Sequence, residues 1–168
     1  MGFSVWGTII AVLTLLPSFT FFLFFPPVGK PSVSQRREPL SLTILERVGQ
    51  AGCLVVLVIS KGWFDTRSFD VWLALCIVCL LVYYGLWIRY LSHGRDYALL
   101  YKPLLFIPVP MAVFPVAVFG FAAVWGQSIW LGIAAALFAS GHVPISVMNS
   151  RLTVDTSDPG TNATKKPF

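Results

Sequence analysis

Six residues of this 168-residue chain are of types that do chemistry yet stand among apolar neighbours: Glu46, Gln50, Arg89, Tyr90, His142 and Asn149. Glu46 and Gln50 are four apart and share a helix face; His142 and Ser146 stand in the same relation. Carboxylate and imidazole are common general acids and bases, which makes Glu46 and His142 the candidate catalytic residues. Gln50, Tyr90 and Asn149 offer neutral hydrogen bonds. Arg89 offers a charge-assisted grip on an anionic group, so these four are candidate ligand-binding residues. Each also has a plainer role. Thr43-x-x-Glu46 ahead of an apolar run is the capping-box pattern, with Glu46 serving the helix start. Arg47 and Arg89 can snorkel to lipid headgroups. His142 follows Gly141 and precedes Pro144, and can simply donate one hydrogen bond to a neighbouring helix.

The elements that must position these residues are read from composition. The chain is 57% hydrophobic and 11% charged, against about 25% charged in an ordinary soluble domain. Its mean hydropathy is +0.78. That balance leaves apolar surface which polar groups cannot cover, and a bilayer is the matching solvent. The fold expected is all-α: one integral membrane bundle of about five transmembrane helices over residues 1–150, with a disordered cytoplasmic tail over 151–168. The net charge of +5 comes from 12 Lys and Arg against 7 Asp and Glu. These charges punctuate hydrophobic runs, so they read as topology signals and headgroup contacts, and no nucleic-acid partner is expected.

The spans fall at about 5–25, 41–60, 71–90, 103–125 and 128–148. Pro17 interrupts the first, and Pro108, Pro110 and Pro115 predict a kinked fourth. Trp63 and Trp72 mark one interface; Tyr83, Tyr84, Trp87 and Tyr90 crowd the other. Five spans put the loop after span one, the loop after span three and the C-terminal tail on one side. That side collects ten of the twelve cations, including Lys30, Arg36, Arg37, Arg47, Arg89, Arg95, Lys102, Arg151, Lys165 and Lys166. Lys61 and Arg67 remain for the other. Positive residues mark the cytoplasmic side, so the N-terminus is expected outside and the C-terminus inside. The Asn162-Ala163-Thr164 sequon then faces the cytoplasm and stays unmodified.

With this topology Glu46, Gln50, Arg89, Tyr90, His142 and Asn149 lie at similar depth. The expectation is a polar pocket at the cytoplasmic leaflet that binds or modifies a lipid or another amphiphile, with membrane lipids as partners. Two other roles fit the same residues: a non-enzymatic accessory subunit or homo-oligomer using the small residues of span five, and a small transporter gated by span four. Whether the protein is an enzyme stays open at this point. Cys76-x-x-Cys79 has the spacing of a redox pair but lies mid-span, where thiols serve as small packing residues. No cofactor is implied: there is no P-loop, no dinucleotide fingerprint, and no metal-ligand spacing around His93 or His142.

The runs Glu46-Arg47-Val48-Gly49-Gln50, Trp87-Ile88-Arg89-Tyr90 and Gly141-His142 resemble a pattern in small uncharacterised multi-pass membrane proteins of bacteria, across spans two to five. The resemblance implies a bacterial inner-membrane location and carries no known activity.

Overall fold

A computed structural model describes residues 2–24, 26–28, 39–61, 68–104 and 106–157, apart from the side chains of 21–23 and 152–157. The expectations placed on Lys30, Arg36, Arg37, Trp63, Arg67, the Asn162 sequon, Lys165 and Lys166 lie outside the described residues. Within them the chain is all-helical, without a strand. The helices are α1 (Val5–Phe24), α2 (Leu40–Ile59), α3 (Val71–Ser92), α4 (Pro110–Trp125) and α5 (Ile129–Ser157), with a 3-10 turn at Tyr97–Leu100.

Among the described residues three helices are long and apolar enough to cross a membrane: Leu40–Ile59, Val71–Ser92 and the Ile129–Arg151 part of α5. The Val5–Thr20 part of α1 and the helix Pro110–Trp125 are also apolar. Large apolar side chains point outward from all five, among them Trp6, Leu16, Ile44, Val55, Leu81, Ile88, Val124, Trp130 and Ile133. A bundle that exposes apolar residues all round is built for an apolar solvent.

Two expected boundaries are corrected. The fourth helix starts at Pro110, not near residue 103. Proline lacks the amide donor and restricts the residue before it, so Pro103, Pro108 and Pro110 together disfavour a helix ahead of Pro110. Pro110 sits in the first turn, where no intrahelical donor is needed, and only Pro115 lies inside. The last helix runs through Pro144 to Ser157, seven residues into the stretch expected as tail.

α1 and α2 run antiparallel, whereas α1 and α3 run parallel. At one end Gly2 and Ser4 donate to the carbonyls of Ile59 and Val58, while Lys61 donates back to Gly2. At that end too, the Trp125 indole donates to Ser68. At the other end Val28 exchanges backbone bonds with Arg95 and Tyr97, tying the exit of α1 to the loop after α3. Asp70 caps α3, accepting from the amides of Trp72 at 2.9 Å and Leu73 at 3.1 Å.

The most extensive contact joins α2 to α5. A methyl group added at Gly49 would overlap the backbone of Phe138, and one at Gly141 would overlap the backbone of Leu42 and Glu46. Each helix therefore presents a glycine to the other's backbone. Small residues permit such approach between membrane helices, where dispersion and hydrogen bonding replace the hydrophobic effect. Farther along, Gly52 meets the Ala134 side chain, and Cys53 and Leu57 are fully buried in the core with Leu131 and Phe138.

Gly49→Ala and Gly141→Ala are each expected to destabilise the protein by roughly 1–3 kcal/mol through overpacking. Gly85→Ala and Gly120→Ala meet nothing within 4 Å and should change stability by no more than about 0.5 kcal/mol. Thermal unfolding in detergent, followed by tryptophan fluorescence, distinguishes the two pairs.

Candidate functional site

The glycine contact between α2 and α5 sets Glu46 against His142. The His142 Nδ1 lies 2.8 Å from the Glu46 Oε1, with the two side chains 26% and 16% exposed. The ring also stacks on Phe138, centroids 4.7 Å apart and planes 19° apart. Phe138 in turn meets Phe119 of α4 edge-on at 5.9 Å. The imidazole is thus fixed in position by a carboxylate and in plane by an aromatic face.

This geometry assigns the ring nitrogens. An ionised carboxylate only accepts, so Nδ1 carries the proton and donates. Nε2 makes no hydrogen bond among the described residues. In a neutral imidazole held this way Nε2 presents a lone pair, the arrangement of a base oriented by an acid.

His142 forms part of the wall of a cavity of about 180 Å³ to which all five helices contribute. Its polar lining comes from Thr14 and Ser18 of α1, Gln50 of α2, Tyr83 and Trp87 of α3, Tyr101, and His142 and Ser146 of α5. Leu15, Met111, Pro115, Phe119 and Phe138 supply much of the apolar remainder. The Tyr83 hydroxyl pairs with that of Ser18 at 2.9 Å, crossing from α3 to α1. Tyr83, Trp87 and Tyr90 form a ladder of edge-on rings, 6.2 and 5.6 Å between centroids.

The expected cluster divides. Glu46 and His142 meet, and Gln50 lies one turn along α2 in the same cavity wall. Arg89, Tyr90 and Asn149 are outside the lining. Tyr90 is wholly buried in the aromatic cluster. Arg89 stands two residues after Trp87, so it leaves the helix from another face. It reaches the Leu99 carbonyl at 3.5 Å, and its buried Nε has no hydrogen-bond partner among the described residues. Similar depth was therefore not enough to bring Arg89 to the cavity.

The capping-box reading of Glu46 is overturned. The helix begins at Leu40 with Pro39 at its cap and no side-chain cap bond. Thr43 is already inside the helix, and its hydroxyl turns back to the Pro39 carbonyl at 3.5 Å. Pro39 can supply no side-chain acceptor, so the start moves ahead of Thr43, and Glu46 is released for His142.

Sequence reading missed five polar wall residues: Thr14, Ser18, Tyr83, Trp87 and Tyr101. Tyr83 and Trp87 read as interfacial aromatics, and Thr14 and Ser18 as part of an apolar run. The available signal was spacing: both pairs stand four apart and mark one face of their helix. Cys53, Cys76 and Cys79 are free and buried outside the cavity, with Cys76 directed at the Val118 carbonyl at 3.7 Å. No group of three potential metal-ligating side chains occurs among the described residues.

No family model, curated protein or solved structure matches this chain.

Nitrogen NMR of histidine-labelled protein should find the neutral His142 protonated at Nδ1. In Glu46→Leu that preference should disappear, because the acceptor is gone.

Proposed function

We propose that this chain is a multi-pass protein of the cell membrane whose five helices all span the bilayer, N-terminus outside, and whose cavity binds the polar end of a lipid or similar amphiphile. The observation that carries the reading is the Glu46–His142 pair, which sets His142 in the wall of a cavity within an outwardly apolar bundle, with Glu46 behind it. Ionisable side chains at membrane depth are costly, and as a rule they face a bundle interior or cavity where they have work to do. The cavity is amphipathic in the way such a ligand is, with hydroxyl, amide and imidazole groups beside Leu15, Met111 and Phe119.

The distribution of cations between the two ends of the bundle supports that sidedness. Arg47, Arg89, Arg95, Lys102 and Arg151 belong to the end at which α2 begins and α3 finishes, and Lys61 to the opposite end. The positive-inside bias sets the first end in the cytoplasm. The cavity, walled by His142, Ser146 and Tyr101, would then lie in the cytoplasmic half of the bundle. If the bound molecule is also transformed, Nε2 of His142 is the base, and Glu46 holds the imidazole in orientation through Nδ1.

Native mass spectrometry of protein released gently from detergent tests the reading. A lipid of defined mass should be retained by the wild type. Glu46→Gln and His142→Ala, each still inserted and folded, should weaken retention about tenfold, equivalent to roughly 1.4 kcal/mol. Undiminished retention in both variants would remove the pair from the site. For orientation, a fluorescent-protein fusion at the C-terminus should fluoresce and an alkaline phosphatase fusion there should be inactive; the reverse pattern would invert the topology.

A further inference from the structure

We infer that the cavity selects an uncharged, hydroxyl-bearing amphiphile and discriminates against anionic phosphate headgroups. This rests on the cavity reading above and names its ligand class.

Charge is the first argument. The lining contains no Lys, Arg, Asp or Glu. His142 is its one group able to carry positive charge, and it is already bonded to a carboxylate. With Glu46 ionised, the pair has a net charge of zero or minus one, so it offers an anion no net attraction. Arg89, the cation best suited to a phosphate, leaves α3 from another face and reaches toward Leu99. A phosphate entering here would be desolvated without a counter-charge and would lie near the Glu46 carboxylate. Burying an ion on such terms is strongly unfavourable.

Hydrogen-bonding character is the second argument. Ser18, Gln50, Tyr83, Tyr101, His142 and Ser146 are groups that both donate and accept, or do one of the two as their partners require. Hydroxyl groups, which also donate and accept, satisfy such a wall. Nε2 of His142, bearing a lone pair while Nδ1 is held by Glu46, calls specifically for a donor, and an alcohol provides one where a fully ionised phosphate does not.

Size is the third. The volume of about 180 Å³ compares with cavities of ~150 Å³ that take up benzene, a molecule of six heavy atoms. A glycerol headgroup also has six heavy atoms. The cavity holds a small polyol end, and the apolar part of its wall meets the first methylenes of a chain that continues into the surrounding lipid.

The probes are 1-monooleoylglycerol and its phosphate ester, 1-oleoylglycerol 3-phosphate, which share chain and glycerol and differ in the phosphate. Both are titrated into the full-length protein in a neutral detergent, with tryptophan fluorescence and native mass spectrometry as readouts. The neutral probe should bind at least about tenfold tighter than its phosphate ester, as expected when one ligand leaves a buried charge unpaired. Gln50→Leu and Tyr83→Phe should each weaken the neutral probe about three- to tenfold, the cost of one lost hydrogen bond. Their melting temperatures, read alongside, separate that loss from misfolding. Equal or tighter binding of the phosphate ester, still sensitive to Gln50→Leu, would overturn the ligand class and leave the cavity as a binding site. Absence of any binding that responds to Gln50→Leu or Tyr83→Phe would overturn both.

Discussion

The backbone contact between α2 and α5 is the constraint on which the site depends. Gly49 and Gly141 face opposite helices, each against main chain with no room for a methyl group. Two such contacts fix separation, register and rotation together, because sliding either helix by a residue would drive a side chain into the partner's backbone. Glu46 and His142 lie beside these contacts in sequence, so their 2.8 Å pairing follows from the packing. The polar pair does not have to hold the helices together by itself.

That order of causes suits an apolar solvent. Between helices surrounded by lipid, little is gained by burying one apolar surface against another, and close packing carries more of the association. A carboxylate in the same setting is expensive unless it is paired and hydrogen-bonded. Here the carboxylate is matched by an imidazole whose ring is additionally clamped on Phe138. The arrangement leaves one ring nitrogen occupied and the other available, a fixed orientation that an isolated histidine on a flexible helix would not have.

The opposite wall is built on another principle. Tyr83, Trp87 and Tyr90 recur along one face of α3 and stack edge to face, which suits the quadrupoles of neighbouring rings. The Tyr83 hydroxyl then ties this wall to Ser18 of α1. Proline shapes the cavity from α4. Three prolines delay that helix until Pro110, and the non-helical approach places Tyr101 and Val109 along the cavity wall. Thus the polar groups come from helices that packing has aligned, and part of the enclosing surface comes from a segment that cannot be helical.

The sequence alone determined that the chain is helical and apolar, where most of its helices begin and end, and which residues carry chemistry. Those properties depend on composition and on local rules: hydropathy over about 20 residues, proline's missing donor, and the four-residue repeat of a helix face. Glu46, Gln50 and His142 were legible because ionisable and amide groups are conspicuous in apolar runs. The tertiary structure decided which of them meet. Depth along a helix is a one-dimensional property that sequence reports, whereas adjacency also needs helix order and rotation, set here by two glycine contacts between segments about ninety residues apart. Arg89 and Tyr90 shared the expected depth but differ in direction, so one turns toward Leu99 and the other into an aromatic core. Tyr83 and Ser18 gave the converse case: neither stands out in its own helix, and their role exists only where α1 and α3 cross.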